Sequence, residues 1–385
     1  MNKILLRVIG AAIMATALPI CCHAQTTAAE NLDLFNSQVA EQLSTVHRLF
    51  NSSKPKEGLL SHERKIAFYT LDAIYHNSSI TPANYTLINN FMSKRLMQVI
   101  ANLDKPLPTD VSARVYKIYN CGVIVRTKDV TVAFDLVRGT GLGGLDISTS
   151  LGQGKRALGY IDKDLMQQLI NKCDIMFISH RHSDHFDPWV VTYFNASRKP
   201  VICTDDIANV YATSEFVTGA RENEPWNQTF TAANGISLKT FIIPGHQSLQ
   251  YDASGNYLGQ LHNNVYVVTL PDGTVVAHTG DQNPDGHETE ENAGGISDRE
   301  IFSRSYLEGK MPHINILLSI IWTKWPNLKE FTDVFDPDIL IPMHWAELGH
   351  EAPTRYTLGE WLLSDQITRP YYMYTWGEWV DYKKQ

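Results

Sequence analysis

Residues 179–187 read SHRHSDHFD and follow the apolar run DIMFI, so three of the chain's 14 histidines and two aspartates fall within nine positions. An apolar run of that length reads as a buried strand that delivers the polar segment at its end. In an extended segment, residues two apart project the same way. His180 and His182 therefore face one point, while Asp184 and His185 turn toward a neighbouring one. Imidazole and carboxylate are the donors that zinc and similar divalent ions take, so the order H-x-H-x-D-H supplies two half-sites for metal.

The rest of the chain divides by texture. From Gln25 to Pro108 the pattern is helical: Leu32, Phe35, Val39, Leu43, Val46 and Phe50 recur at three- and four-residue steps. A second stripe carries Tyr85, Ile88, Met92, Leu96 and Val99, with Thr81 as N-cap and Pro82 at the first helical position. SHERKIAFYTLDAIYH reads as a shorter helix between them. This helical extension, residues 25–108, is expected to pack its apolar faces on the main domain or on each other. The proline-bearing DKPLPTD, Asp104 to Asp110, marks the boundary to a main domain over 109–385.

Beyond the boundary, short β-rich runs alternate with helices. RVYKIYNCGVIVRTKDVTVAFDL reads as two runs joined by the polar turn RTKD. DIMFIS, PVICT, SLKTFIIP, NVYVVTL, TVVAHT and DILIPM are further strands, and DKDLMQQLINK is a helix leading into DIMFIS. The pattern predicts two layers of sheet covered by helices.

The metal loop and its companions resemble the metallo-β-lactamase fold superfamily of hydrolases. Asp135 in TVAFDL, the loop itself, His246 in IIPGHQS, Asp281 in VVAHTGDQ and His344 in LIPMHW occur in that family's order, each expected at a strand end. The fold implied is an αββα sandwich of two mixed sheets flanked by helices, over roughly Arg114 to His350, with the N-terminal extension outside it. The resemblance assigns His180, His182 and His246 to one metal, and Asp184, His185 and His344 to a second, with Asp281 bridging them. It implies two divalent ions, zinc foremost, with manganese or iron as alternatives. Asp184 and Asp281 are the candidate catalytic carboxylates, served by a metal-bridging hydroxide that attacks a carbonyl carbon or phosphorus. Asp135 is expected to orient the metal loop by hydrogen bonds, and His278 to lean on the site or simply pack.

HTGD and IPMHW look most like the branch that holds lactonases and the phospholipase D acting on N-acyl phosphatidylethanolamines. Lactone, ester or phosphodiester cleavage is therefore expected, and β-lactam hydrolysis is not. The same scaffold can hold iron, so a redox or oxygen-using protein is one alternative, and a catalytically silent metal-binding protein another. Trp322, Trp345 and His350 are candidate substrate contacts. A net charge of −8, with no basic run, argues against nucleic acid and for a small-molecule or lipid-like substrate.

MNKILLRVIGAAIMATALPICCHAQ reads as a secretory signal peptide, residues 1–24, with Lys3 and Arg7 ahead of an apolar stretch and the small residues Cys22 and Ala24 at the cleavage positions. It addresses the protein to the periplasm or the exterior and offers no stable membrane span; a membrane anchor or lipidation at Cys21 is the alternative. Cys121, Cys173 and Cys203 remain, without a C-x-x-C, so neither a disulfide framework nor a cysteine zinc site is indicated. Cys173 and Cys203 read as small buried hydrophobes. GTGLGG, Gly139 to Gly144, has dinucleotide-binding spacing but no helix after it, and reads as a glycine-rich loop.

Overall fold

Alternation along each strand decides which layer receives which side chain. In β1 (Ala113–Tyr119), Ala113 and Val115 join one apolar cluster while Tyr116 and Ile118 join another. In β9 (Tyr257–Thr269), Tyr266 and Val268 join the first cluster and Val265 and Val267 the second. A strand buried on both faces in this way belongs to a sheet covered on both sides.

The computed structural model describes residues 28–56, 61–75, 82–139, 161–220, 226–251, 257–282, 298–303, 307–320, 332–344 and 370–384. The expected signal peptide with Cys21, the glycine-rich loop beyond Gly139, Trp322, Trp345 and His350 lie outside the described residues. One sheet has seven strands in the order β13-β1-β2-β3-β4-β5-β6, with β2 at Gly122–Arg126, β3 at Thr131–Phe134, β4 at Ile175–Phe177, β5 at Val201–Cys203, β6 at Val217–Gly219 and β13 at Trp379–Tyr382. The other has six, β12-β11-β10-β9-β8-β7, with β7 at Asn227–Thr231, β8 at Ser237–Tyr251, β10 at Val275–His278, β11 at Ile316–Ile320 and β12 at Ile339–Met343. Both are mixed: β3 to β6 run parallel after an antiparallel start, and β10 to β12 run parallel after an antiparallel ribbon. Val115, Val125 and Phe177 of one sheet share an apolar layer with Ile242, Val268 and Leu318 of the other. This is the αββα sandwich that the resemblance implies.

Helices α1 (Ala28–Ser52), α2 (His62–Tyr75) and α3 (Pro82–Leu103) bury the predicted stripes, Val39, Leu43, Val46 and Phe50 on α1 and Ile88, Met92, Leu96 and Val99 on α3. Each such side chain contributes roughly 1.5–3 kcal/mol when fully buried. A buried ion cluster fixes this layer to the end of the chain. Arg64 donates from both Nη atoms to Glu378 at 2.9 and 2.7 Å, and Arg95 Nε donates to the Trp376 carbonyl at 2.8 Å. The Thr375 N–H donates to the same Glu378 carboxylate at 2.9 Å. Helix α4 (Lys163–Asn171) starts at Asp162, whose side chain accepts from two N–H groups of the first turn. Among the described residues, no helix is long and apolar enough to cross a membrane.

Two expectations are corrected. The first β-run is not one strand: it breaks at Asn120–Cys121, and β1 turns back into β2. Asn120 takes a left-handed φ of 48°, and a Cβ at Gly122 would meet the Tyr119 carbonyl oxygen at 2.7 Å, so asparagine and glycine permit the turn. His246, expected at a strand end, sits within β8 opposite His262 of β9, because these two strands form a long antiparallel ribbon.

Candidate metal centre

The site forms where the C-terminal ends of β3 and β4 meet the second sheet. Asp135 follows β3 in a left-handed conformation, φ 44°, and is fully buried. Its Oδ1 accepts from the Ser179 N–H at 2.7 Å, and its Oδ2 accepts from the Ser179 hydroxyl at 2.6 Å and from His185 Nδ1 at 2.7 Å. His180 Nδ1 lies 3.0 Å from the same Ser179 oxygen. One carboxylate thus occupies the Nδ1 side of His185 directly and of His180 through Ser179, which leaves both Nε2 atoms to face the centre. The loop is further held by the Asn264 N–H of β9, which donates to the Ser179 carbonyl at 2.9 Å. Asp187, N-cap of α5 (Pro188–Ala196), closes it by pairing with Arg138 at 2.9 Å.

Asp281 lies between the two halves of the loop. Its Oδ2 is 3.6 Å from His180 Nε2, while its Oδ1 is 2.9 Å from His185 Nε2 and 3.4 Å from His344 Nε2. Both oxygens are buried and neither accepts a hydrogen bond. Ligand atoms of His180, His182 and Asp281 lie within 4.8 Å of one another, and so do those of Cys121, His185, Asp281 and His344. Asp184 Oδ2 reaches His344 Nε2 at 3.0 Å and His185 Nε2 at 3.4 Å. His246 is buried but stands outside both groups, its ring 5.2 Å from that of His262. The structure brings together six of the seven expected ligands, and His246 lies buried beside His262.

A buried carboxylate without a donor costs several kcal/mol unless a cation meets it. Imidazole nitrogens and carboxylate oxygens converging at one buried place are the donor set of a divalent transition ion, so these residues fit the metal that the resemblance implies. The charges respond to the crowding. Burial opposes ionisation of Asp281, yet His185 and His344 hold its carboxyl below the usual range. Burial also opposes ionisation of Asp184, which His185 and His344 hold well below that range. Burial and the neighbouring His185 push His180 down to about 3, so its imidazole stays neutral at any working pH. Burial works against protonation of His185 too, but Asp281 and Asp184 raise it well above the ordinary histidine value.

Several further residues support the site. Asn120 Nδ2 donates to Asp184 Oδ2 at 3.2 Å and lies 3.3 Å from His344 Nε2. Asn263 Oδ1 accepts from the Asp281 N–H at 3.0 Å, and its Nδ2 donates to the Thr279 carbonyl at 3.0 Å, which fixes the turn that presents Asp281. Gly280 in that turn has φ 55°, and a Cβ there would strike Ser179 and Asn263 at 2.4 Å. His278 stacks on Phe134 at 5.1 Å, accepts from the Gly280 N–H at 3.1 Å, and faces the Cys121 carbonyl with Nε2 at 3.2 Å. It braces two loops at once. Lys117 is fully buried, its ammonium donating to the Asn120 carbonyl; burial lowers it to about 8, opposed by Cys121. Of these positions the sequence singled out His278 and Gly280 through HTGD; for Asn120 the signal is the Asn-x-Gly of the β1–β2 turn, and Asn263 and Lys117 carry none.

No family model matches the chain, and no curated protein matches it. Solved structures do. A metallo-hydrolase from Ignicoccus hospitalis is 15% identical over 71% of this chain and 99% of its own, with a TM-score of 0.44. A possible metal-dependent hydrolase from Veillonella parvula is 14% identical over 71% and 100%, with a TM-score of 0.48. CmlA, a diiron β-hydroxylase from Streptomyces venezuelae, is 11% identical over 82% and 62%, with a TM-score of 0.45.

Proposed function

We propose that this chain is an exported metal-dependent hydrolase of the metallo-β-lactamase fold, acting on a lactone, ester or phosphodiester bond. One observation carries the metal reading: Asp281 divides its two donor-free oxygens between His180 on one side and His185 with His344 on the other. A carboxylate so placed could hold an ion on either side. His180 and His182 would hold the first; Asp184, His185 and His344 would hold the second.

Two bound divalent ions supply a water acidified from a pKa of 15.7 toward ~7 and positive charge for the oxyanion that develops during cleavage. The chain's own groups do the rest. Asp135 and Ser179 lock the imidazoles of His180 and His185 with Nε2 inward, so no reorientation is needed when substrate arrives. Asp184, ionised and fixed by the Asn120 amide, orients the attacking water through a carboxylate oxygen. Asn263 and His278 hold the backbone on which Asp281 sits. The acidic chain favours a small or uncharged molecule or a lipid-like substrate, consistent with the HTGD and IPMHW wording. The leader, residues 1–24, would be removed on export.

Elemental analysis of the mature protein, purified without chelator or added metal, tests this. About two zinc or manganese ions per chain, with turnover on a panel of lactones, esters and phosphodiesters, is the expected result. Iron with oxygen-dependent turnover would replace it with the redox reading. No bound metal, even after reconstitution, would overturn it.

A further inference from the structure

We propose that Cys121 is a metal ligand, so that the second ion is held by a thiolate as well as by Asp184, His185, Asp281 and His344. The inference rests on the metal-centre reading above. Family resemblance assigns no ligand to this hairpin, and the sequence shows no cysteine motif. The position comes from the fold alone: the two-residue turn between β1 and β2 carries Cys121 to the floor of the centre, where its Sγ lies within 4.8 Å of the ligand atoms of His185, Asp281 and His344.

Two further observations point the same way. Asp281, to which this thiol is adjacent, is 3% exposed and its two oxygens face only imidazoles, so an ion bound beside it would lie within reach of Cys121. The Cys121 backbone is also held in place, its carbonyl 3.2 Å from His278 Nε2 of the strand that leads into Asp281. All three cysteines are buried among apolar side chains, but among the described residues only Cys121 belongs to a group of converging ligands.

Ligation forms a metal–sulfur bond and releases the thiol proton to solvent. The two ions then become unlike: the first sees two imidazoles and a shared carboxylate, the second sees thiolate and two carboxylates with two imidazoles. A soft sulfur donor favours zinc or cobalt over manganese at the second position.

Cobalt(II) added to the metal-free full chain gives the test, because cobalt–thiolate charge transfer absorbs in the near ultraviolet while ligand-field bands in the visible report any cobalt site. Wild type is expected to show both. Cys121→Ser should lose the near-ultraviolet band, keep visible bands, and bind one of two cobalt ions at least about tenfold more weakly. Cys173→Ser and Cys203→Ser should keep both bands. Visible bands without charge transfer in wild type, or a charge-transfer band that survives Cys121→Ser, would overturn the assignment of Cys121 and leave the metal centre standing. No cobalt spectrum at all would overturn both. The wild-type spectrum decides the point even if a variant fails to fold.

Discussion

Two buried carboxylates in this molecule have opposite surroundings. Glu378, 5% exposed, is met by Arg64 at 2.7 Å and by the Thr375 N–H at 2.9 Å, with Arg95 at 3.7 Å. Asp281, 3% exposed, is ringed by imidazoles at 2.9 to 3.6 Å and accepts no hydrogen bond. Burial is the same and completeness is not. A carboxylate whose partners belong to the chain is part of the scaffold, whereas one left incomplete is a receptor for something the chain does not encode. The backbone repeats the distinction: of the five non-glycine residues with positive φ among the described residues, Asn120, Asp135 and His344 lie at the metal centre.

The largest effect should come from emptying the receptor. Asp281→Asn or His182→Ala is expected to abolish hydrolysis while the circular dichroism spectrum stays unchanged, since each removes a donor and little core volume. Turnover retained in both would end the comparison. Glu378→Gln should do the reverse, lowering unfolding free energy by about 3–5 kcal/mol because two guanidinium groups lose their buried partner. Its metal content per folded chain should match wild type; a shared loss would mean that the two clusters act as one. Asp135→Ala is the intermediate case, with metal affinity expected to fall ~10- to 100-fold in a chelator competition as His180 and His185 lose their common anchor.

The smallest expected effect is electrostatic. Burial and the nearby Arg95 and Lys94 lower His47 on α1 to about 4, against 6.5 when unfolded. Between those values the unfolded chain binds the proton and the folded chain does not, so stability from this group falls as pH drops from 6.5 toward 4. Urea midpoints of wild type and His47→Gln should converge over that window and keep a constant offset above it. An offset that is constant throughout would remove His47 from the account.

What the sequence disclosed follows from the same contrast. The H-x-H-x-D-H loop, Asp135, Asp281 and His344 were legible because ligand chemistry restricts residue type and strand ends restrict spacing. Cys121, Asn120 and Asn263 were not: a two-residue turn inside an apolar run has no periodicity of its own, and an asparagine's role depends on what lies across the sandwich. The strand-end position of His246 was not legible, because IIPGHQS looks like a terminus while pairing with β9 carries the strand five residues past it, to Tyr251. The stripes from Val39 to Phe50 on α1 and from Ile88 to Val99 on α3 are buried as their spacing predicts, since an amphipathic helix states its buried face in its own sequence.

The pairing of β1 with β13 has a kinetic consequence. Ala113 faces Tyr382 across this ladder, so one edge of the seven-stranded sheet is completed by a segment from the far end of the described chain. Glu378, which pins α2 and α3, immediately precedes the same strand. Contacts so distant in sequence form slowly. Docking of the helical layer and closure of the sheet edge are thus expected as one late folding step, before which β1 would stand open as a template for other strands. Pulsed hydrogen exchange during refolding would show it as simultaneous, late protection of β1 and α3.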